Sequence, residues 1–198
     1  MAIDHEKRRA DIASITIDLI AQEGLEAASI RRIAAEAGSS TSAITSYFAD
    51  KQELLVWAFQ ILSAEGERRF QDALAANAKD VIGALLTMVP WCAANVRRWK
   101  AYLAFWDQAA RDPELAALLT QSTAAGLANL QQLLRSRGAG GTVVESAGSL
   151  LNAVIQGLAL QMLVDRQNWS EHKARAVLQE AFEFAILMAN QRQANETI

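Results

Sequence analysis

The segment IRRIAAEAGSSTSAITSYF, residues 30–48, admits few folds. Ser29 is suited to cap a helix in which Ile30, Ile33, Ala34 and Ala37 recur at the helical period, and Gly38 can end it. Ser40 can cap a second, shorter helix over residues 41–47, with Ile44 turned inward and Tyr47 and Phe48 closing the unit. Thr41, Ser42, Ala43, Thr45 and Ser46 are then left on its outer side. A glycine-ended helix, a tight turn and a short polar-faced helix make a helix-turn-helix. Upstream, residues 6–22 read as a helix with Ile12, Ile15, Leu19 and Ile20 on one face and Gly24 as its stop.

The remainder is also expected to be helical. With 52% hydrophobic residues, 2 prolines and 10 glycines, the chain can bury a core and has few helix breakers. Asp50 followed by Glu53 resembles a capping box opening a fourth helix through Leu54, Leu55, Ala58 and Leu62. Further helices are expected over residues 80–96, 99–111, 113–135, 143–164 and 170–191. Pro113 suits a first turn, and residues 138–142 form the clearest loop. The fold class is all-α. A three-helix head, residues 1–48, precedes a larger helical body, residues 49–198, and the fourth helix joins them.

A helix-turn-helix of this kind presents a few side chains to the DNA major groove. Within residues 8–55, Ile33-Ala34, Ala37-Gly38, Ser40, Ile44, Tyr47-Phe48, Lys51 and Leu54 together resemble the N-terminal signature of the TetR family. That resemblance implies a DNA-binding transcriptional regulator. Its expected form is a cytoplasmic homodimeric repressor that binds double-stranded operator DNA and leaves it when a small-molecule effector binds the body. Ser29, Ser40, Thr41, Ser42, Thr45, Ser46, Tyr47 and Lys51 are the candidate DNA contacts. The resemblance implies phosphate anchoring by Tyr47 and Lys51, helped by Ser29; the lesser alternative for Tyr47 is a packing residue. Ser39 stands where the family usually has an aliphatic residue, and Thr45 where it often has tyrosine.

All the exposed side chains of the short helix are small, so methyl contacts, water and DNA shape are expected to carry part of the specificity. A net charge of −3 argues against broad, non-specific coating of nucleic acid. The basic clusters of the head are Lys7-Arg8-Arg9 and Arg31-Arg32, each either a phosphate contact or a solvated face.

In the body, Trp99, Tyr102 and Trp106 share a helical face, with Trp91, Cys92, Asn95 and Phe105 nearby. The stripe is either aromatic core or the wall of an apolar effector pocket. On the second reading Trp91, Asn95, Tyr102, Phe105, Trp106, Asn152 and Gln156 are the candidate effector contacts. Leu103-Ala104-Phe105-Trp106, Asp112-Pro113-Glu114-Leu115 and Gln156-Gly157-Leu158 resemble the BetI-like, choline-responsive subgroup, although Gln156 replaces an acidic residue common at that place. Aromatic rings of this kind can hold quaternary ammonium groups by cation–π attraction.

Leu150, Val154, Leu158 and Met162, then Val177, Phe182, Ile186 and Met188, form stripes open to two uses, core or partner surface. The family resemblance implies a dimer interface there. The most apolar stretch, residues 150–164, carries Asn152, Gln156 and Gln161 and is shorter than a membrane span, so no membrane partner is expected. Catalysis is not expected: there is no Gly-rich phosphate loop, nucleophile elbow or metal motif, and Cys92 and His172 are the only loose candidates for a nucleophile and base. Neither cofactor nor metal is expected. A helical interaction module without DNA binding would explain the body but not the head.

Overall fold

The computed structural model describes residues 2–140 and 143–196, and the surroundings of the side chains of residues 5–140 and 143–190. Gly141 and Thr142 of the expected loop lie outside them. The described elements are α1 (Ala2–Glu23), α2 (Ile30–Glu36), α3 (Thr41–Thr45), α4 (Lys51–Ala76), α5 (Val81–Leu86), α6 (Ala93–Ala109), α7 (Pro113–Ser136), α8 (Val144–Val164) and α9 (Glu171–Glu196). By packing they divide into two compact units. The first holds the residues up to Arg68 with Ala93–Leu119, and the second holds Arg69–Cys92 with the residues from Thr120 onward.

The stops and caps of the first three helices follow from their local chemistry. Gly24 and Gly38 adopt φ of +86° and +58°, the left-handed conformation in which a side chain is strained. Ser29 Oγ accepts the Arg32 N–H at 3.2 Å and Ser40 Oγ the Ala43 N–H at 3.1 Å, which satisfies donors that a helix start leaves unpaired. Since a Cβ at Gly38 would meet nothing within 4 Å, Gly38→Ala isolates the backbone cost. It is expected to lower stability by about 1–2 kcal/mol, read from the shift of a chemical denaturation midpoint at unchanged slope.

The first unit does not end at the head. Ile12, Ile20, Ile33, Ile44, Phe48 and Leu54 share one buried cluster with Phe59, Ala101, Phe105, Leu115 and Leu119, so α6 and the start of α7 complete the core begun by α1–α3. Phe105 meets Phe59 edge to face at 5.3 Å between ring centres.

The expected single helix over residues 80–96 is instead α5, a turn segment, and α6, which runs unbroken through Val96–Trp99. Pro90 lies in that segment. Its ring has no N–H to give and disfavours helical backbone in the residue before it.

In the second unit α8 packs along α9, and α9 against α5. The inner face of α8 is Val144, Ala147, Leu151, Ile155, Leu158 and Met162; on α9 it is Ala174, Leu178, Ala185 and Ala189. By length and composition α8 could cross a membrane, and 39% of its most apolar window is buried within the protein. The outward residues Leu160, Val164, Phe184 and Leu187 are large, apolar and exposed. They lie beside the stripes expected from the sequence and not on them: Leu158 and Met162 are buried, while Leu150, Val154, Val177, Phe182, Ile186 and Met188 are half-buried.

Candidate nucleic-acid interface

The outer face of α3 is made of hydroxyls whose protons are already partly committed. Thr41, Ser42, Thr45 and Ser46 are exposed, while Ile44 beneath them is buried. The Thr45 hydroxyl donates to the Ser42 carbonyl at 3.2 Å, and the Ser46 hydroxyl to the Ala43 carbonyl at 2.7 Å. Ser40 and Ser42 hydroxyls lie 2.9 Å apart. Thr45 and Ser46 therefore face outward chiefly as acceptors, suited to base amino groups such as adenine N6 or cytosine N4. Ser29, whose lone pair caps α2, keeps a hydroxyl proton that can be given to phosphate, while Ser40, which caps α3, shares a hydrogen bond with the Ser42 hydroxyl.

Around α3 the cations fall into two classes. Lys51 Nζ lies 3.5 Å from the Leu25 carbonyl, a weak tether, and has no carboxylate partner among the described residues. Arg31 is exposed with no ion-pair partner among the described residues, whereas Arg32 bonds Glu23 at 2.9 Å and Glu36 at 2.6 Å. Arg9 is turned inward: its guanidinium lies 4.5 Å from the Phe48 ring centre and 4.4 Å from that of Trp57, and Nη2 bonds Glu53 at 2.8 Å. Of the cluster Lys7-Arg8-Arg9, Arg9 is thus a packing residue.

Glu53 joins this arrangement to the start of α4. Asp50 accepts the Glu53 N–H at 2.8 Å, and Glu53 reaches back to the Ala49 N–H at 2.6 Å, one residue further than a strict capping box. The Ala49 N–H, and beyond it the Arg9 guanidinium, hold the Glu53 carboxyl below its ordinary value. A lowered folded-state value means this stabilisation is complete above the ordinary carboxylate range and is lost as pH falls through the lowered one.

Tyr47 is half-buried and meets the His5 ring at a tilt of 37°, with ring centres 4.8 Å apart. His5 is a neighbour that sequence reasoning missed, because nothing local links residues so far apart along the chain.

The candidate effector residues are divided between the two units. On α6, Tyr102 meets Trp99 at 5.8 Å and Trp106 at 6.1 Å between ring centres, so the expected shared face exists. Trp106 is 37% exposed, but Phe105 and Asn95 are buried. Trp91, 42% exposed, belongs to the second unit, as do Asn152 and Gln156, which are half-buried on α8.

Comparison with known proteins bears directly on this geometry. Residues 12–56 match the bacterial regulatory proteins of the tetR family, and residues 78–185 match the C-terminal region of BetI-type transcriptional repressors. Over 190 residues the chain is 30% identical to the HTH-type transcriptional regulator PksA of Bacillus subtilis, covering 91% of each. The chain belongs to the TetR family. It is a DNA-binding transcriptional regulator, of a non-enzymatic class. Escherichia coli BetI is 30% identical over 170 residues, which span 78% of this chain and 81% of that one. Among solved structures, a transcriptional regulator from Rhodococcus superposes with a TM-score of 0.81 at 25% identity, covering 90% of this chain and 96% of that one. A regulator from Saccharomonospora viridis in complex with choline superposes at 0.78 with 22% identity, covering the same shares, 90% and 96%.

For a TetR-family head, the two classes of cation predict opposite behaviour. Lys51→Ala is expected to weaken binding evenly across DNA sequences and reduce the salt slope of log K by about 1. Arg9→Ala is expected to leave that slope unchanged and to cost about 1–2 kcal/mol of stability through lost cation–π and ion-pair contacts. Fluorescence anisotropy across a salt series, paired with thermal melting, separates the two.

Proposed function

We propose that this chain is a homodimeric, cytoplasmic repressor that leaves its operator when a small-molecule effector binds the body. The observation that carries the DNA half is the exposed hydroxyl face of α3 over buried Ile44, flanked by the free charges of Lys51 and Arg31. Ser29, Ser40, Thr41, Ser42, Thr45, Ser46, Tyr47 and Lys51 are its DNA contacts. Thr45 and Ser46 act mainly as acceptors, and two heads reach successive major grooves about 34–36 Å apart. The exposed residues Leu160, Val164, Phe184 and Leu187 support pairing of α8 and α9 with their copies in a second chain.

For release, the effector must prefer a state in which the heads no longer match the operator, since equal affinity for both states would change nothing. The Trp99, Tyr102 and Trp106 rings support an effector with a cationic, poorly hydrated head, such as a quaternary ammonium. The match to BetI-type repressors and the choline held by the Saccharomonospora neighbour support the same class. Phe105 and Asn95 then shape the site from within and do not touch the ligand.

Selection of bound duplexes from a random library, followed by release assays with choline and betaine aldehyde, tests both halves. A twofold-symmetric site released by either compound is the expected result. Binding that ignores sequence sinks the DNA reading. Failure of millimolar choline and betaine aldehyde to bind in calorimetry sinks the ammonium reading, and a tight ligand that leaves operator affinity unchanged sinks the release mechanism.

A further inference from the structure

An open groove of about 880 Å³ runs along α9 beside the start of α5, within the second unit. Its chemistry is different at its two ends. At one end three cations meet the turn before α5: Arg137 donates through Nη2 to the Ala78 carbonyl, Lys79 follows, and Arg175 Nη1 lies 3.5 Å from Asp80. His172, one turn before Arg175 on α9, completes that end. Arg175 is neutralised by Asp80 and by Glu171 at 3.1 Å, and Asp80 also caps α5 through the Gly83 N–H at 2.8 Å. The Lys79 ammonium has no ion-pair partner among the described residues, and Arg137 is held by a neutral carbonyl. The uncompensated charge at this end is therefore positive.

Toward the other end Phe182, Ile186 and Leu187 dominate the lining, with Asn190 beside them. Arg175, Gln179, Phe182 and Ile186 recur at steps of four, three and four along one face of α9, so the groove passes from charge to hydrocarbon within a single row. Arg175 to Ile186 spans about 16 Å at 1.5 Å per residue. Glu183 faces the groove between the ends, where it accepts the Gln179 amide, and a negative charge there directs an anion back toward Lys79. Phe184, on the face offered to a second chain, is two residues and about 200° around the helix from Phe182. Leu187 borders both faces.

We propose that this groove binds a single-chain amphiphile with an anionic head, a medium- or long-chain carboxylate, with its head at Lys79 and Arg137 and its chain along Phe182 and Ile186. The row of the groove matches the shape of such a ligand, and the unpaired positive charge at one end matches its head. None of these residues belongs to the aromatic stripe of α6, so the site stands apart from the effector reading above.

Calorimetry of the full-length protein with dodecanoate, kept below its micelle concentration, tests the assignment. Saturable binding at one site per chain is expected. Butyrate, which has the head without the chain, and dodecyltrimethylammonium, which has the chain with the opposite charge, should each bind at least about tenfold more weakly. Lys79→Glu combined with Arg137→Glu, and separately Phe182→Ser, should each weaken dodecanoate by about tenfold or more. Circular dichroism confirms folding. Should the double variant misfold, Lys79→Ala replaces it, with a weakening of wild-type binding as salt rises as the second readout. Undiminished dodecanoate binding by the variants, equal binding of the cationic amphiphile, or sedimentation with phosphatidylglycerol vesicles without saturable dodecanoate binding each overturns the proposal.

Discussion

Phe48→Ala is expected to cost about 3–5 kcal/mol, the range for removing a large buried aromatic ring, and to abolish operator binding at growth temperature. Phe48 is 1% exposed, lies in the same buried cluster as Ile33, Ile44 and Leu54, and carries the Arg9 guanidinium on its face. Truncation removes the ring's own burial and leaves Arg9 with one aromatic neighbour instead of two, so the ion pair with Glu53 loses its support. Against a typical total stability of about 5–15 kcal/mol, such a loss is a large fraction. Because α6 and α7 share this core, unfolding should include them and not stop at the head. Melting followed by the fluorescence of Trp99 and Trp106, which lie in the same unit, should move lower by roughly 10 °C. Because the shared core lies within the first unit, a Phe48→Ala variant in which the fluorescence of Trp99 and Trp106 keeps its wild-type midpoint would contradict it.

The second large effect concerns assembly. Phe184→Asp with Leu187→Asp should convert the chain to a monomer at micromolar concentration and weaken operator binding by about a hundredfold or more, ~2.7 kcal/mol. Both residues are more than half exposed, so the chain loses little of its own core when they change. What it loses is association. Burying large apolar side chains is worth about 1.5–3 kcal/mol each, and two carboxylates per chain at the interface would have to be desolvated without partners. Analytical ultracentrifugation reads the mass and anisotropy the affinity. A double variant that still sediments as a dimer would move the interface elsewhere on the surface. Since Leu187 also borders the groove of α9, dodecanoate binding by the Phe184→Asp single variant separates the two surfaces.

The parts of this protein legible from sequence are those whose cause lies within about four residues. Ser29 and Ser40 cap helices because their hydroxyls reach an N–H three residues on, and Gly24 and Gly38 end them because the next backbone step needs positive φ. Ile33, Ile44, Leu54 and Leu62 are buried as their spacing required. Pro90 carried an equally local message, a break between α5 and α6, which the apolar pattern on either side of it obscured. The candidate contacts of α3 were legible for the same reason: once Ile44 is placed inward, its neighbours must face out.

Sequence by itself thus determined the helical class, the helix-turn-helix with its caps and stops, and the membership in the TetR family that those residues carry. Only the tertiary structure decided that Arg9 packs between Phe48 and Trp57, that Phe105 is core while Trp106 reaches solvent, and that α6 and the start of α7 complete the core of the head. It also decided which residues of α8 and α9 remain uncovered. The physical reason is the range of the interactions. Caps and periodicity act through hydrogen bonds and side-chain neighbours within one turn, whereas burial is a competition among all apolar faces of the chain. The Arg9–Glu53 pair spans 44 residues, and its partner is settled only when distant helices close on the same core.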